Sequence, residues 1–184
     1  LHLSLRRQRQ MCIRDSDIPV RELISMLAKN PPPSVKGTAV FLTAHPETAP
    51  PALMHSLKHY KVLHEKNVLL TVVNTNLPRL DDAQRIRIEV INDQFMQVFM
   101  SFGYMEEPNL PKALALCRKM GWRFDIMSTS FFLSRRTLRV ARNHVMPLWQ
   151  DHLFIRLADN AADASNYFHI PTGRVVEIGA QILV

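Results

Sequence analysis

His55 and His59 stand four residues apart in a stretch whose Leu53, Leu57 and Tyr60 repeat at helical spacing. That spacing puts two imidazoles on one helix face, an arrangement able to hold zinc. The stretch has no HExxH pattern, no partner cysteine and no third ligand close by, and with His64 the pair also reads as ordinary polar-face histidines. Glu106 and Glu107 form an adjacent carboxylate pair that could do acid/base work. Because Pro108 and a helix start follow, the favourable field of a helix N-terminus explains them more simply. Ser128, Thr129 and Ser130 have no glycine elbow, which excludes a GxSxG nucleophile. The five glycines (Gly37, Gly103, Gly121, Gly173 and Gly179) are too scattered for a phosphate-cradling loop. No catalytic residue, metal site or cofactor is expected.

Arg135, Arg136, Arg139 and Arg142 make the densest basic cluster. Three readings stand. The cluster is a solvated loop or pairs with acidic residues elsewhere. It faces anionic lipid or another subunit, each charge near such a membrane contributing about 1 kcal/mol. Or it grips a phosphate-bearing nucleotide through the guanidinium fork. Nucleic acid is disfavoured, because no aromatic side chains interleave with the charges.

The elements that must position these groups follow from pattern. Val68–Val73 and the run from Ala39 to Thr43 are short apolar strands, and the segment beginning at Pro50-Pro51 between them is helical, with Thr48 as its cap. That is a βαβ unit, its first strand buried on both faces. A nucleotide would sit at the carboxyl ends of such strands, lined by Thr43–Glu47 and Val73–Asn76. Ile86–Val90 and the alternation of Met96, Val98, Met100 and Phe102 form an antiparallel hairpin around Asn92-Asp93. Gly103 marks a bulge or strand end. Asn109 caps a helix with Ala113, Leu116, Cys117 and Met120 on one face and Gly121 at its end. Thr129–Leu133 is a strand, followed by the arginine-rich segment. Pro147 to Asp159 is a helix with Trp149, Leu153 and Leu157 on one stripe, and Asn160 with Asp163 opens another. Val175–Ile178 closes the sheet, extended by Gln181–Val184. The predicted fold is α/β, a mixed sheet beginning with a βαβ unit and followed by an antiparallel hairpin, with helices packed on the sheet. Phe131-Phe132 and the Met96/Met100 pair read as core, or else as a self-association surface; an edge strand could pair two copies.

With 184 residues, 47% apolar and 21% charged, one domain with a real core is expected. No run approaches the roughly 18 apolar residues of a membrane helix, and no secretory signal is read, so the polypeptide is expected to be soluble. Cys12 and Cys117 are the only cysteines, too few for a disulfide framework; Cys117 reads as a buried, inert thiol in a reducing compartment. Residues 1–16 carry four arginines and one aspartate, so +3 of the net +7 sits in this arm and +4 in the rest. Their RRQRQMCIRDS core reads as a translated sequencing-adaptor tail rather than native sequence; as native sequence it would be a basic arm for nucleic acid or anionic lipid. Asp17 caps a short helix with Pro19 in its first turn and Leu23, Ile24 and Leu27 as its apolar patch, ended by Pro31-Pro32-Pro33. The expected organisation is an arm at 1–16, a linker-proximal helix and proline-rich linker at 17–36, and an α/β domain at 37–184.

Seven blocks occur in order: GTAVFLT at Gly37, ALMHSLKHYKVLHEKNVLLTVV at Ala52, Pro78-Arg79, FGYMEEPNLPKAL at Phe102, TSFFLSRRTL at Thr129, LWQDHLF at Leu148 and NYFHIPTGRVVEIGAQI at Asn166. Together they resemble the cytoplasmic C-terminal domain of the Kup family of bacterial potassium-uptake transporters, over roughly residues 17–184. The resemblance implies potassium uptake coupled to protons at the inner membrane, with this chain on its cytoplasmic face. It places the ion site among upstream membrane helices, so no ion-coordinating residue carries over to any position here. The implied partners are the membrane domain of the same transporter, a second copy in a homodimer, and an anionic lipid or nucleotide effector. Arg136 stands where relatives often have an acidic residue, which would leave Arg135 without a neighbouring counter-charge.

Overall fold

The computed structural model describes residues 18–117, 125–139 and 167–183, with single helical positions at 150 and 156. The readings made for residues 1–17, for Met120 and Gly121, for Arg142, and for the two helices expected after Pro147 lie outside the described residues.

Helix α1 (Val20–Lys29) leads into strand β1 (Ser34–Leu42), helix α2 (Pro51–His59) and strand β2 (Leu63–Thr75). A single helical turn α3 (Asp82–Arg85), strands β3 (Ile86–Val90) and β4 (Phe95–Gly103) and helix α4 (Leu110–Cys117) follow. Strands β5 (Thr129–Arg139) and β6 (Val175–Leu183) complete one six-stranded sheet in the order β3-β4-β2-β1-β5-β6. The mixed α/β sheet and its opening βαβ unit are as expected, and so is the β3/β4 hairpin. Among the described strands only β3 runs antiparallel: β4 runs parallel to β2, and β5 and β6 are parallel to their neighbours.

The core divides by strand alternation, since successive side chains point to opposite faces. Val40, Val68, Leu70 and Phe131 pack on one face with Met96, Met100 and the α4 residues Leu110, Ala113, Leu114 and Cys117. Ala39, Phe41, Leu69 and Phe132 pack on the other with Val20, Leu23 and Ile24 of α1 and Ala52 and Leu53 of α2. Helices therefore cover both faces, which is why β1 and β2 read as unbroken apolar runs. Phe131, Phe132, Met96 and Met100 are all buried core. Phe41 and Phe132 stack with ring centroids 4.8 Å apart.

Local details depart from expectation for physical reasons. Tyr60 does not join the apolar face of α2; it is 62% exposed, because the helix ends at His59 and Lys61 turns the chain through a left-handed conformation at φ 55°. Thr48 does not cap α2, whose N-cap is Pro50; Thr48 instead bridges Pro19. Pro19 is the N-cap of α1 rather than a residue of its first turn. The arginine-rich segment is not a loop: β5 continues through it, because each residue from Phe131 to Arg139 has a partner in β6. Gly37 has φ +115°, at the irregularity in the β1/β2 register, and a Cβ there would lie 2.9 Å from the Ser128 carbonyl oxygen.

Candidate functional site

Five parallel strands give the sheet one carboxyl edge, and its profile is uneven. Strand β1 stops at Leu42, paired with Leu70, while β2 continues to Thr75. On the other side Phe41 pairs with Phe132, and β5 continues to Arg139. The short β1 is also where the order reverses, with β2 on one side and β5 on the other. A notch at such a switch point is the usual ligand position in parallel α/β sheets. The two segments expected to line a site, Thr43–Glu47 and Val73–Asn76, both lie at this edge.

The loop after β1 is stitched on both sides. The Thr43 amide donates to the Leu70 carbonyl at 2.9 Å, and the Gln97 side-chain amide donates to the Pro46 carbonyl at 2.7 Å. The Ala49 amide donates to Ile18 at 2.8 Å and the Val20 amide to Glu47 at 3.0 Å, so the leader of α1 joins the domain here. The Thr43 hydroxyl accepts from the His45 amide and donates to the His45 carbonyl, both at 3.1 Å.

The loops after β2 and β4 are bolted together by Arg85 and Glu106. The guanidinium donates to both Glu106 carboxylate oxygens, at 2.8 and 3.2 Å, and to the Leu80 carbonyl at 2.9 Å. It also lies 5.2 Å from the Phe102 ring centroid. The Gly103 amide donates to Glu106 at 2.7 Å. The bonds from Arg85, then from Gly103, hold the Glu106 carboxyl down at about 2. Gly103 ends β4 under the next loop, where a Cβ would lie 2.3 Å from the Pro78 carbonyl oxygen. Glu106 is therefore a loop clamp, and the helix-field explanation of the Glu106-Glu107 pair is corrected for that residue. Glu107 is exposed. Asn109 does cap α4, accepting from the Lys112 amide at 3.0 Å. A shallow cavity of about 340 Å³ opens between Arg85, Glu106, Glu107 and Lys112, but its central ion pair is mutually satisfied. Arg85 was missed in the sequence, because its partner is 21 residues away and neither side belongs to a motif.

The β5/β6 ribbon projects beyond β1 at the same edge. It brings together the backbones of Arg135, Arg136 and Arg139, while Arg142 lies outside the described residues. Arg135 has a counter-charge after all, Glu177 across the ribbon at 3.6 Å, which corrects the expectation that it stands alone. The pair is solvent-exposed and worth little by itself.

The remaining candidates sit elsewhere. The His55 and His59 rings stack at 5.8 Å on α2. His64 lies on β2, edge-on to Phe132 at 5.8 Å, and burial lowers its pKa. The Ser128 and Thr129 hydroxyls both donate to the Asp125 carbonyl, at 3.2 and 2.6 Å. Cys117 is buried, and burial raises its thiol to about 11, so it is an inert core residue. The amino edge gathers Lys29, Lys36, Lys58, Lys61 and Lys66, all exposed and contributed by separate turns and strand starts. No sequence run announces that cluster; the topology assembles it.

The family model for the K+ potassium transporter C-terminal domain matches residues 36–184. The chain is 60% identical over 171 residues to a protein of Mesorhizobium japonicum named "Probable potassium transport system protein Kup 2", covering 93% of this chain and 27% of that protein. Its identity to the Kup 2 protein of a Bradyrhizobium species is 58% over 171 residues, with the same coverage, 93% and 27%. Its identity to the Kup protein of Brucella anthropi is 58% over 169 residues, covering 92% and 26%. The chain thus spans about a quarter of the length of the curated relatives it matches. No solved structure matches it.

Proposed function

This chain belongs to the family of potassium-transporter C-terminal domains, and on that premise we propose that it is the cytosolic regulatory and assembly domain of a Kup-type potassium–proton symporter. The observation that carries the reading is the family match over residues 36–184, joined to 60% identity with a relative named for potassium transport. The ion pathway belongs to the upstream polypeptide, and residues 17–36 lead from it into the domain. Among the described residues no helix is long and apolar enough to cross a membrane, which fits a domain lying beneath the bilayer.

The reading gives the chain no reaction of its own. Its best-formed polar clusters are committed to structure: Arg85 and Glu106 to each other, and Ser128 and Thr129 to a backbone carbonyl. The domain acts by biasing the transporter between conformations, which requires a partner with unequal affinity for them. Its partners are the membrane domain, a second copy, and an anionic lipid or nucleotide drawn to the arginine cluster of Arg135, Arg136, Arg139 and Arg142.

The test is potassium-dependent growth and rubidium uptake in a bacterial strain stripped of its potassium importers. The full-length gene restores both, while residues 17–184 alone restore neither. Deleting those residues from the full-length protein changes the rate of uptake and leaves ion selectivity intact. Uptake from residues 17–184 alone would overturn the reading.

One observation favours a nucleotide over a lipid as effector: the strand order reverses at β1, placing a notch where parallel sheets take phosphorylated ligands. Calorimetric titration with mononucleotides and cyclic dinucleotides tests it, and no heat at millimolar ligand would remove it.

A further inference from the structure

We propose that the carboxyl edge of the sheet is the face on which this domain docks against the membrane-embedded part of its own polypeptide, with Leu77, Tyr104 and Met105 as the apolar anchors. The proposal rests on the reading of the chain as a transporter's terminal domain.

Three observations carry it. The first is a set of exposed apolar residues on two adjacent loops. Leu77, Tyr104 and Met105 are 52%, 65% and 65% exposed, and Val73 on the adjoining strand end is 42% exposed. They are not scattered: the Tyr104 amide donates to the Leu77 carbonyl at 3.0 Å and the Met105 amide to the Pro78 carbonyl at 3.2 Å. Exposed apolar side chains that adjoin one another mark interaction surfaces, whereas isolated ones do not.

The second is rigidity. The two loops carrying these side chains are fixed to each other by the Arg85–Glu106 clamp and by the close approach of Gly103 to Pro78. A surface held in one conformation before contact gives up little entropy on binding.

The third is direction. The polypeptide upstream of residue 18 reaches the domain at this edge, through the Pro19–Thr48 bridge and the Ala49–Ile18 hydrogen bond. The opposite, amino edge carries exposed lysines among its exposed apolar residues Val35, Tyr60 and Met127, which sit on separate elements. The rim of the apolar surface decides between a protein and a bilayer. Arg79, Asp81, Asp82 and Glu107 are all exposed there, and this mixture of signs does not suit an anionic lipid surface. It does suit a protein interface, with an apolar centre and a polar rim.

The experiment uses the full-length protein in native membranes, with the photoreactive residue p-benzoylphenylalanine in place of Tyr104 and, in parallel, of Met105 and Tyr60. Irradiation is expected to join positions 104 and 105 to peptides of the upstream part of the same chain, and to leave position 60 unjoined. Cross-links from 104 and 105 only to lipid or only to a second copy would overturn the proposal, as would equal cross-linking from 60. So would the absence of any cross-link in variants that still take up rubidium. Loss of uptake by the unsubstituted full-length protein would instead count against the transporter reading itself, so the two failures are distinguishable.

Discussion

The two edges of the parallel sheet are made from similar turns but held by different forces. At the carboxyl edge, an ion pair with little exposure and backbone bonds tie the loops after β2 and β4 together, and further hydrogen bonds fasten the loop after β1 to strands β2 and β4. At the amino edge the lysines are solvated; among the described residues none of Lys29, Lys36, Lys58, Lys61 and Lys66 forms an ion pair. Polar groups removed from water need partners, and once paired they fix geometry. Charges left in water fix nothing, and they keep that face free of unwanted contacts. Large apolar side chains are exposed at both edges, Val35, Tyr60 and Met127 at the amino edge and Leu77, Tyr104 and Met105 at the carboxyl edge; the difference is that the carboxyl-edge set is carried on loops joined by an ion pair. Strand β3 illustrates a third solution: as a sheet edge it carries an Arg87–Glu89 pair, with Arg87 over the Phe99 ring, which blunts strand-to-strand pairing.

Substitutions can break this comparison, beginning with the largest expected effect. Gly103→Ala drives a Cβ into backbone 2.3 Å away and should lower stability by about 3 kcal/mol, read from the urea midpoint. Gly37→Ala, at the amino edge, meets a softer 2.9 Å contact but an unfavourable positive φ, and should cost about 2 kcal/mol. Gly173→Ala and Gly179→Ala meet nothing within 4 Å and should stay within about 0.5 kcal/mol. Equal losses at Gly103 and Gly179 would contradict the close approach.

Next comes charge. Arg85→Met strands the Glu106 carboxylate and the Leu80 carbonyl, and should cost about 2 kcal/mol. Lys58→Met at the other edge should cost no more than about 0.5 kcal/mol. A comparable loss at Lys58 would mean that its charge is tied down too.

Acid should separate the edges further, by smaller amounts. Glu106 titrates at about 2 in the folded domain, below its ordinary 4.5, so the unfolded chain binds its proton first. Its stabilisation is complete above pH 4.5 and is lost as pH falls toward 2; Glu106→Gln should flatten that window. His64 shifts downward because burial disfavours the charged ring, so the unfolded chain again takes the proton first. Its contribution is present above the ordinary value of 6.5 and fades as pH falls below it, and His64→Phe should abolish the fading in equilibrium unfolding titrations.

How much of this was legible in the sequence depends on range. The strands of the βαβ unit and the hairpin were readable because alternation and apolar runs are local signals. The Asn109 cap was readable for the same reason. The length of β5 was not, because arginines suggest a solvated loop until β6 supplies a ladder from the far end of the chain. Tyr60 was placed inside because its spacing from Leu53 and Leu57 is helical, and only the left-handed Lys61 shows that the helix has already ended. The Arg85–Glu106 clamp, the Arg135–Glu177 pair and the lysine-rich edge all join residues distant in sequence, and no spacing rule connects them. The family blocks located the domain, but not which of its edges faces the rest of the protein.

The orientation is tested most directly by a structure of the full-length protein in a lipid nanodisc. The account predicts Leu77, Tyr104 and Met105 buried against the upstream polypeptide, with Tyr60, Lys58 and Lys66 in solvent on the far side. A domain found with its lysine-rich edge toward the bilayer, and Tyr104 exposed, would contradict it.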